Sequence, residues 1–261
     1  MLHRSRSLMG YKLHSLDGDI GKVKDFFFDD QHWAVRYLVA DTGNWLESRQ
    51  VLLSPHSLLD VREEGHYLTT NLSKQQIADS PSLDTDMPVS RQFEEDYFEY
   101  YGWPMYWSGP FMWGNYSTIN NTVEKTVHLP TEGGLSAQER TWDPHLCSAQ
   151  DVSGQRIHAT DGDIGGIHDF IIDDLSWAIR YLVIDTGHWW SGKHLLLSPR
   201  WVARVNWLEP LTLLDISRQD IEKSPEYTEK THLTREYEIH LHQHYQRPGY
   251  WSEESHTGFR H

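Results

Sequence analysis

Asp17-Gly18-Asp19-Ile20-Gly21 returns 144 residues further on, counting from 17 to 161, as Asp161-Gly162-Asp163-Ile164-Gly165. The same offset carries Arg36-Tyr37-Leu38-Val39 onto Arg180-Tyr181-Leu182-Val183, and Leu52-Leu53-Ser54-Pro55 onto Leu196-Leu197-Ser198-Pro199. It still holds at Ser80-Pro81 and Ser224-Pro225, and at Tyr106-Trp107 and Tyr250-Trp251. A register kept over such a distance is a tandem duplication, so the chain has to fold as two copies of one unit. It also supplies an internal control. A residue kept in both copies serves the unit; a residue found in only one is not required by the fold.

With 261 residues, two domains of roughly 100 residues fit better than one large one. Hydrophobic residues make up 38% and aromatics 13%, with 12 Trp and 13 Tyr, so each copy has the material for a core. The net charge is −15. A surface this acidic repels phosphates, so neither nucleic acid nor an anionic membrane is an expected partner. Cys147 is the only cysteine, which rules out an intramolecular disulfide and a cysteine-based zinc site. The first residues lack the apolar stretch of a signal peptide, and no window approaches the roughly 20 apolar residues of a membrane span. The expectation is a cytoplasmic protein without stable membrane insertion.

Within the first copy, residues 23–28 and 33–41 are rich in β-branched and aromatic side chains and flank Asp29-Asp30-Gln31-His32, a hairpin signal. Residues 49–53, 58–61 and 67–70 read as further short strands, punctuated by Gly43 and Pro55. A tip at Asp30-Gln31 makes Asp25 face Arg36, and likewise Asp169 face Arg180. Both pairs are kept, and they read as structural cross-strand ion pairs. Their face would also carry Val23, Phe27, Ala34 and Leu38. Alternation puts Phe26, Phe28, Trp33, Val35 and Tyr37 on the other face, matched by Phe170, Ile172, Trp177, Ile179 and Tyr181. With both faces apolar, one can line a barrel and the other needs a cover. Phe26, Trp33, Tyr37, Phe170, Trp177 and Tyr181 are therefore interface candidates. Their cover would be the other repeat, the repeat's own C-terminal extension, or a second chain in a homodimer.

That extension is duplicated too. Ser73 and Ser217 open short capped helices, and Ser90 and Thr234 read as N-caps of longer ones. The longer helices carry Phe93, Tyr97, Tyr100 and Tyr101 in one copy, with Tyr237, Leu241 and Tyr245 matching in the other, as one helical stripe. The expected organisation is repeat 1 with its extension over residues 1–107, a linker over 108–148, and repeat 2 with its extension over 149–261. Phe111, Met112, Trp113 and Trp142 suggest that the linker has ordered parts.

The string Asp-Gly-Asp-Ile-Gly, then Asp-Phe, Asp-Asp, Arg-Tyr-Leu-Val and Leu-Leu-Ser-Pro, occurring twice, resembles the PRC-barrel family over residues of about 5–83 and 149–227. This is the small β-barrel shared by the cytoplasmic domain of the photosynthetic reaction centre H subunit and by RimM-type ribosome maturation factors. The resemblance implies a mainly β chain with short C-terminal helices: two tandem small antiparallel barrels, which the matching faces would set in a pseudo-two-fold arrangement. It implies docking rather than chemistry. The chain lacks the transmembrane helix of the one relative and the N-terminal domain of the other, so neither specific role carries over. What remains resembles the stand-alone tandem type common in bacteria.

Other chemistry is weakly signalled. Asp17-x-Asp19-x-Gly21 opens like a calcium loop, but Gly21 and Phe28 stand where ligands are needed. His240 and His244 would share a helix face and are the metal candidates, although two ligands seldom make a site. No cofactor is expected, and no nucleophile–base arrangement is visible. The function expected is a non-enzymatic scaffold that docks a protein partner. The alternatives are a small-molecule- or metal-responsive binding protein using a cleft between the repeats and, more weakly, an enzyme whose site spans them. Charge separates the two extensions. Asp84, Asp86, Glu94, Glu95, Asp96 and Glu99 make the first acidic, whereas His240, His242 and His244 enrich the second in histidine. Partner choice is therefore expected to lie there, with pH sensitivity on the histidine side.

Overall fold

Two strands of twelve residues, each opening at a kept Asp-Gly turn, are the spines of two sheets. The computed structural model describes residues 1–46, 49–81, 89–108, 145–187, 192–206 and 211–254. In chain order the first half holds β1 (Leu2–Arg4), α1 (Ser5–Leu8), β2 (Lys12–Ser15), β3 (Gly18–Asp29), β4 (Ala34–Asp41), β5 (Gln50–Leu53), β6 (Leu58–Arg62), β7 (Tyr67–Thr70), α2 (Lys74–Ala78) and α3 (Arg91–Tyr101). The second half holds β8 (Leu146–Ser148), α4 (Ala149–Val152), β9 (Arg156–Ala159), β10 (Gly162–Asp173), β11 (Ile179–Asp185), β12 (His194–Leu197), β13 (Val202–Asn206), β14 (Leu211–Leu214), α5 (Arg218–Glu222), β15 (Glu226–Tyr227), α6 (Arg235–His244) and α7 (Tyr250–Glu254). Asp84, Asp86, Phe111, Met112, Trp113 and Trp142 lie outside the described residues.

The sheets share one topology. The first runs β5-β4-β3-β2-β7-β6; the second runs β12-β11-β10-β9-β14-β13 with β15 added beside β12. Two features differ from the expected antiparallel barrels. Neither hydrogen-bonded path closes on itself, and each sheet is mixed, because β2·β7 and β9·β14 are parallel. The cause is the kept Leu-Leu-Ser-Pro. Ser54-Pro55 and Ser198-Pro199 each start a single 3-10 turn, closed by Ser57 N donating to the Ser54 carbonyl at 2.8 Å and by Trp201 N donating to the Ser198 carbonyl at 2.9 Å. The chain turns a corner there rather than a hairpin, so β6 continues in the direction of β5 and β7 arrives parallel to β2. The kept Asp-Gly turn has a structural use as well. Asp17 Oδ1 accepts from Lys74 N at 2.8 Å and Asp161 Oδ1 from Arg218 N at 2.7 Å, which caps α2 and α5.

The expected hairpin register is wrong, and with it the Asp25–Arg36 and Asp169–Arg180 pairs. The β3·β4 turn occupies residues 30–33, with Asp29 opposite Ala34, because Trp33 closes it in the left-handed region at φ 53. Two bulges then displace the ladder, one at Lys24 and one at Arg36. Asp25 lies opposite Val39, and Arg36 Nη2 binds Asp29 Oδ2 at 2.7 Å. The second repeat repeats each detail: Trp177 at φ 55, bulges at His168 and Arg180, and Arg180 Nη2 on Asp173 Oδ2 at 2.8 Å.

The Arg36 bulge also separates Tyr37 from the face assigned to it. Phe26, Phe28, Val35 and Leu38 join Phe170, Ile172 and Trp177 in a core that runs through both repeats. Tyr37, Val39 and Leu52 face the other way and are closed over by Tyr97, Phe98 and Tyr106.

The halves exchange equivalent segments. β1 pairs with β10, and β8, which the sequence reading put in the linker, pairs with β3. The two hairpin tips meet as well: Val35 N donates to the Trp177 carbonyl at 2.8 Å and Ile179 N to the Trp33 carbonyl at 2.7 Å. Phe28 and Phe170 touch across this seam with centroids 5.3 Å apart, and Phe26 lies 6.4 Å from Trp177. Among the described residues no helix is long and apolar enough to cross a membrane.

Candidate functional site

Buried carboxylates kept in both repeats mark two places. The first is the seam. Asp25 is buried, and its carboxylate accepts from the Ser148 hydroxyl at 2.5 Å, Phe26 N at 2.7 Å and Gln150 N at 3.3 Å. Asp169 does the same for the other exchanged segment, accepting from the Ser5 hydroxyl at 2.6 Å, Phe170 N at 2.7 Å and Arg6 N at 3.1 Å. Each aspartate thus anchors the start of the other half's first helix, α4 or α1. Burial raises the Asp25 carboxyl above its ordinary range, against these hydrogen bonds. Asp29 goes the other way. Burial would raise it, but the His32 hydrogen bond and the Arg36 guanidinium outweigh that and hold it well below the carboxylate range.

The second place is beneath the long helices. Glu94, counted among the charges that make the first extension acidic, and its counterpart Glu238 are 0% and 3% exposed. Glu94 Oε1 accepts from Tyr37 at 2.9 Å and Tyr106 at 2.7 Å; Glu238 Oε1 accepts from Tyr181 and Tyr250, both at 2.9 Å. Arg91 and Arg235 bind the other carboxylate oxygens at 3.0 and 3.1 Å and lie over Trp107 and Trp251. Arg36 and Arg180 sit 4.0 and 3.9 Å from the ring centres of Tyr106 and Tyr250. Burial and the carboxylate next to each push Tyr37, Tyr181 and Tyr250 far above the ordinary phenol range, so all three remain donors. The network pins each helix to its own sheet. Its signal was the Arg-x-x-Glu of both extensions, kept at the duplication offset.

The interface candidates therefore divide. Phe26, Phe170 and Trp177 lie in the seam, with Trp33 half-buried and stacked on Phe28, whereas Tyr37 and Tyr181 lie under the helices. Among the described residues, the metal candidates His240 and His244 do not come together with a third ligand. His240 is exposed, and His244 Nε2 is bonded to the Asp220 carbonyl at 2.7 Å. His242 is buried against Trp201 and Trp251, and burial lowers its pKa to about 4, so it does not act as a sensor near neutral pH. A trio that sequence reasoning missed does converge, at His168, Asp185 and His194. Its signal was two histidines on nearby strands of one copy where the other has Lys24 and Gln50. Beside it opens a cleft of about 340 Å³, lined by Ser5, Arg6 and Met9 from one exchanged segment, Ala149 and Gln150 from the other, and His168.

No curated protein matches the chain. Residues 3–77 match the family model of the PRC-barrel domain, and the second half has no match of its own despite its similar sheet. The chain thus carries a PRC-barrel domain at residues 3–77, followed by a second β-sheet region of similar topology.

Proposed function

We propose that this chain is a non-enzymatic docking scaffold, two PRC-type units held as a pseudo-two-fold pair, which binds a protein partner through residues that differ between the repeats. One observation carries the reading: the buried polar residues kept in both repeats, Asp25 and Asp169, Glu94 and Glu238, are engaged inside the molecule, while the outward faces of the long helices have diverged. α3 exposes Asp96 and Glu99 with Glu95 half-exposed, and α6 exposes Glu236, His240 and Gln243. The acidic face of α3 suits a basic protein surface, with attraction that weakens as salt rises. Exchanging whole extensions would disturb the buried networks, so the test has to stay on the surface. Glu95→Gln, Asp96→Asn and Glu99→Gln together are expected to lose the proteins that the wild-type chain captures from its host's lysate at low salt. Capture of the same proteins at the same salt would defeat the reading. The cleft beside His168 favours a second reading, a small-molecule- or metal-responsive binding protein.

A further inference from the structure

We propose that His168, Asp185 and His194 form a site for a divalent transition-metal ion, of the kind zinc occupies, at the edge of the cleft between the repeats. This gives the second reading its chemistry and is independent of docking through α3. The three side chains come from three neighbouring strands. Asp185 and His194 are cross-strand partners in the β11·β12 ladder, and His168 is the extra residue of the first β10 bulge. A bulge residue escapes the alternation of the strand, and this one stands beside the Asp185–His194 pair. One ligand atom from each lies within 4.8 Å of the other two, and all three residues are half-buried. The imidazoles stack, with centroids 4.6 Å apart and planes at 19°. Neither ring is tied up in a hydrogen bond to a described residue. Metal–ligand bonds of about 2.1 Å place tetrahedral ligands roughly 3.4 Å apart, and an imidazole binds through a lone pair in its ring plane, so the site closes when the side chains draw in by about an ångström and the two rings turn out of their stack.

The donor set decides the class of ion. Two imidazoles and one carboxylate suit zinc, cobalt, nickel or copper, whereas magnesium and calcium want oxygen throughout. Three protein ligands leave a further position for water or a ligand. Among the surrounding charges, Asp169 and Glu229 favour a cation, and Arg6, bonded to the Ser153 hydroxyl at 2.8 Å, opposes it. The fold does not require the histidines. Repeat 1 builds the same bulge and ladder with Lys24, Asp41 and Gln50. The aspartate is kept for another reason: Asp41 accepts from Gly43 N at 3.0 Å and Asp185 from Gly187 N at 2.8 Å. Only the two ligands that the fold can spare are particular to repeat 2.

Calorimetric titration of the full chain with zinc chloride, repeated with cobalt(II) for its visible spectrum, tests the site. One equivalent is expected to bind, with affinity falling at least tenfold in His168→Lys and in His194→Gln, each of which installs repeat 1's own residue. The double variant His240→Ala with His244→Ala is expected to bind as wild type, and magnesium and calcium are not expected to compete. Absence of zinc uptake, unchanged affinity in either site variant, or loss of binding with His240 and His244 instead would overturn the proposal. If a site variant fails to fold by circular dichroism, X-ray absorption at the zinc edge of the wild-type protein decides. Two imidazole nitrogens with a carboxylate oxygen support the site, and any other protein ligand set overturns it. Partner capture at low salt by the folded site variants is expected to match wild type, which keeps failure of this site distinct from failure of the docking reading.

Discussion

Beneath α3, the first repeat packs Phe98 at 0% exposure against Tyr37, Tyr106 and Trp107. Beneath α6, the second repeat puts His242 in the same place, among Tyr181, Trp201 and Trp251. The neighbours have changed in step. Tyr97, whose hydroxyl accepts from Ser54 N at 3.0 Å and donates to the Leu52 carbonyl at 2.9 Å, becomes Leu241. Ser57 becomes Trp201, whose ring packs on Tyr245 with centroids 4.5 Å apart. A ring lost on the helix is thus offset by a ring gained on the corner below it, as cores tolerate when total volume is kept. The Arg-x-x-Glu pair and its two tyrosines do not vary, and repeat 2 only adds His242 Nε2 at 3.2 Å from the Tyr181 hydroxyl. Docking of the helix rests on the charged network, and the apolar filling around it is negotiable.

The largest expected effect tests whether the two scaffolds are equivalent. A Cβ at Gly21 would meet the Asp41 carbonyl oxygen at 2.0 Å, and one at Gly165 the Asp185 carbonyl oxygen at 2.0 Å, both with φ near +130°. Gly21→Ala and Gly165→Ala should each cost about 4 kcal/mol in urea unfolding. A difference between them of more than about 1 kcal/mol would break the equivalence. Next come Glu94→Ala and Glu238→Ala, which remove the buried carboxylate that two tyrosine hydroxyls donate to in each repeat, although Tyr181 keeps His242 Nε2 at 3.2 Å. Each should cost about 3 kcal/mol, measured in the same way, and a near-zero cost in either repeat would remove the network as the cause of docking.

Acid separates the repeats. His242 titrates at about 4 when folded, below the unfolded value of about 6.5, so the unfolded chain binds the extra proton between those limits. The stability tied to neutral His242 is complete above pH 6.5 and is lost as pH falls toward 4, by on the order of 3 kcal/mol. His242→Phe, which installs the residue of repeat 1, should flatten that part of the stability–pH curve. An unchanged slope would mean that another group carries it. The smallest effect concerns the helix ends. α3 stops at Gly102 with φ 68, and repeat 2 puts Gln246 there at φ 53. Gln246→Gly should raise stability by roughly 0.5–1 kcal/mol, read from the shift in urea midpoint.

The duplication, the β content, the capped helices and the aromatic stripe of α3 were legible in the sequence because each depends on residues close together in the chain. The register was not. Two bulges and a left-handed tryptophan displace β3 against β4, and neither Lys24 nor Arg36 announces a bulge by its residue type. The error propagated, since moving the register exchanged Asp25 for Asp29 as the partner of Arg36 and turned Tyr37 to the other face. The corner at Ser54-Pro55 was read as punctuation, which hid the parallel pairing of β7. The burial of Glu94 and Glu238 was hidden because Tyr37 and Tyr181, which donate to them from the sheet, lie 57 residues back in the chain. The His168–Asp185–His194 trio was invisible for a similar reason: only the pairing of three strands brings it together.

The exchanged strands also bear on how such a chain arises. A single repeat on its own would have one strand to lend, β1, and one edge to fill, on β3. Two separate copies would satisfy each other through a self-complementary interface, as symmetric homodimers do. Fusing them turns that encounter into an intramolecular one, at an effective concentration on the order of millimolar. Assembly then no longer depends on how much protein is present. The two halves are also released from the identity that a homodimer imposes, so a histidine pair can be acquired on one side while the other keeps a lysine and a glutamine.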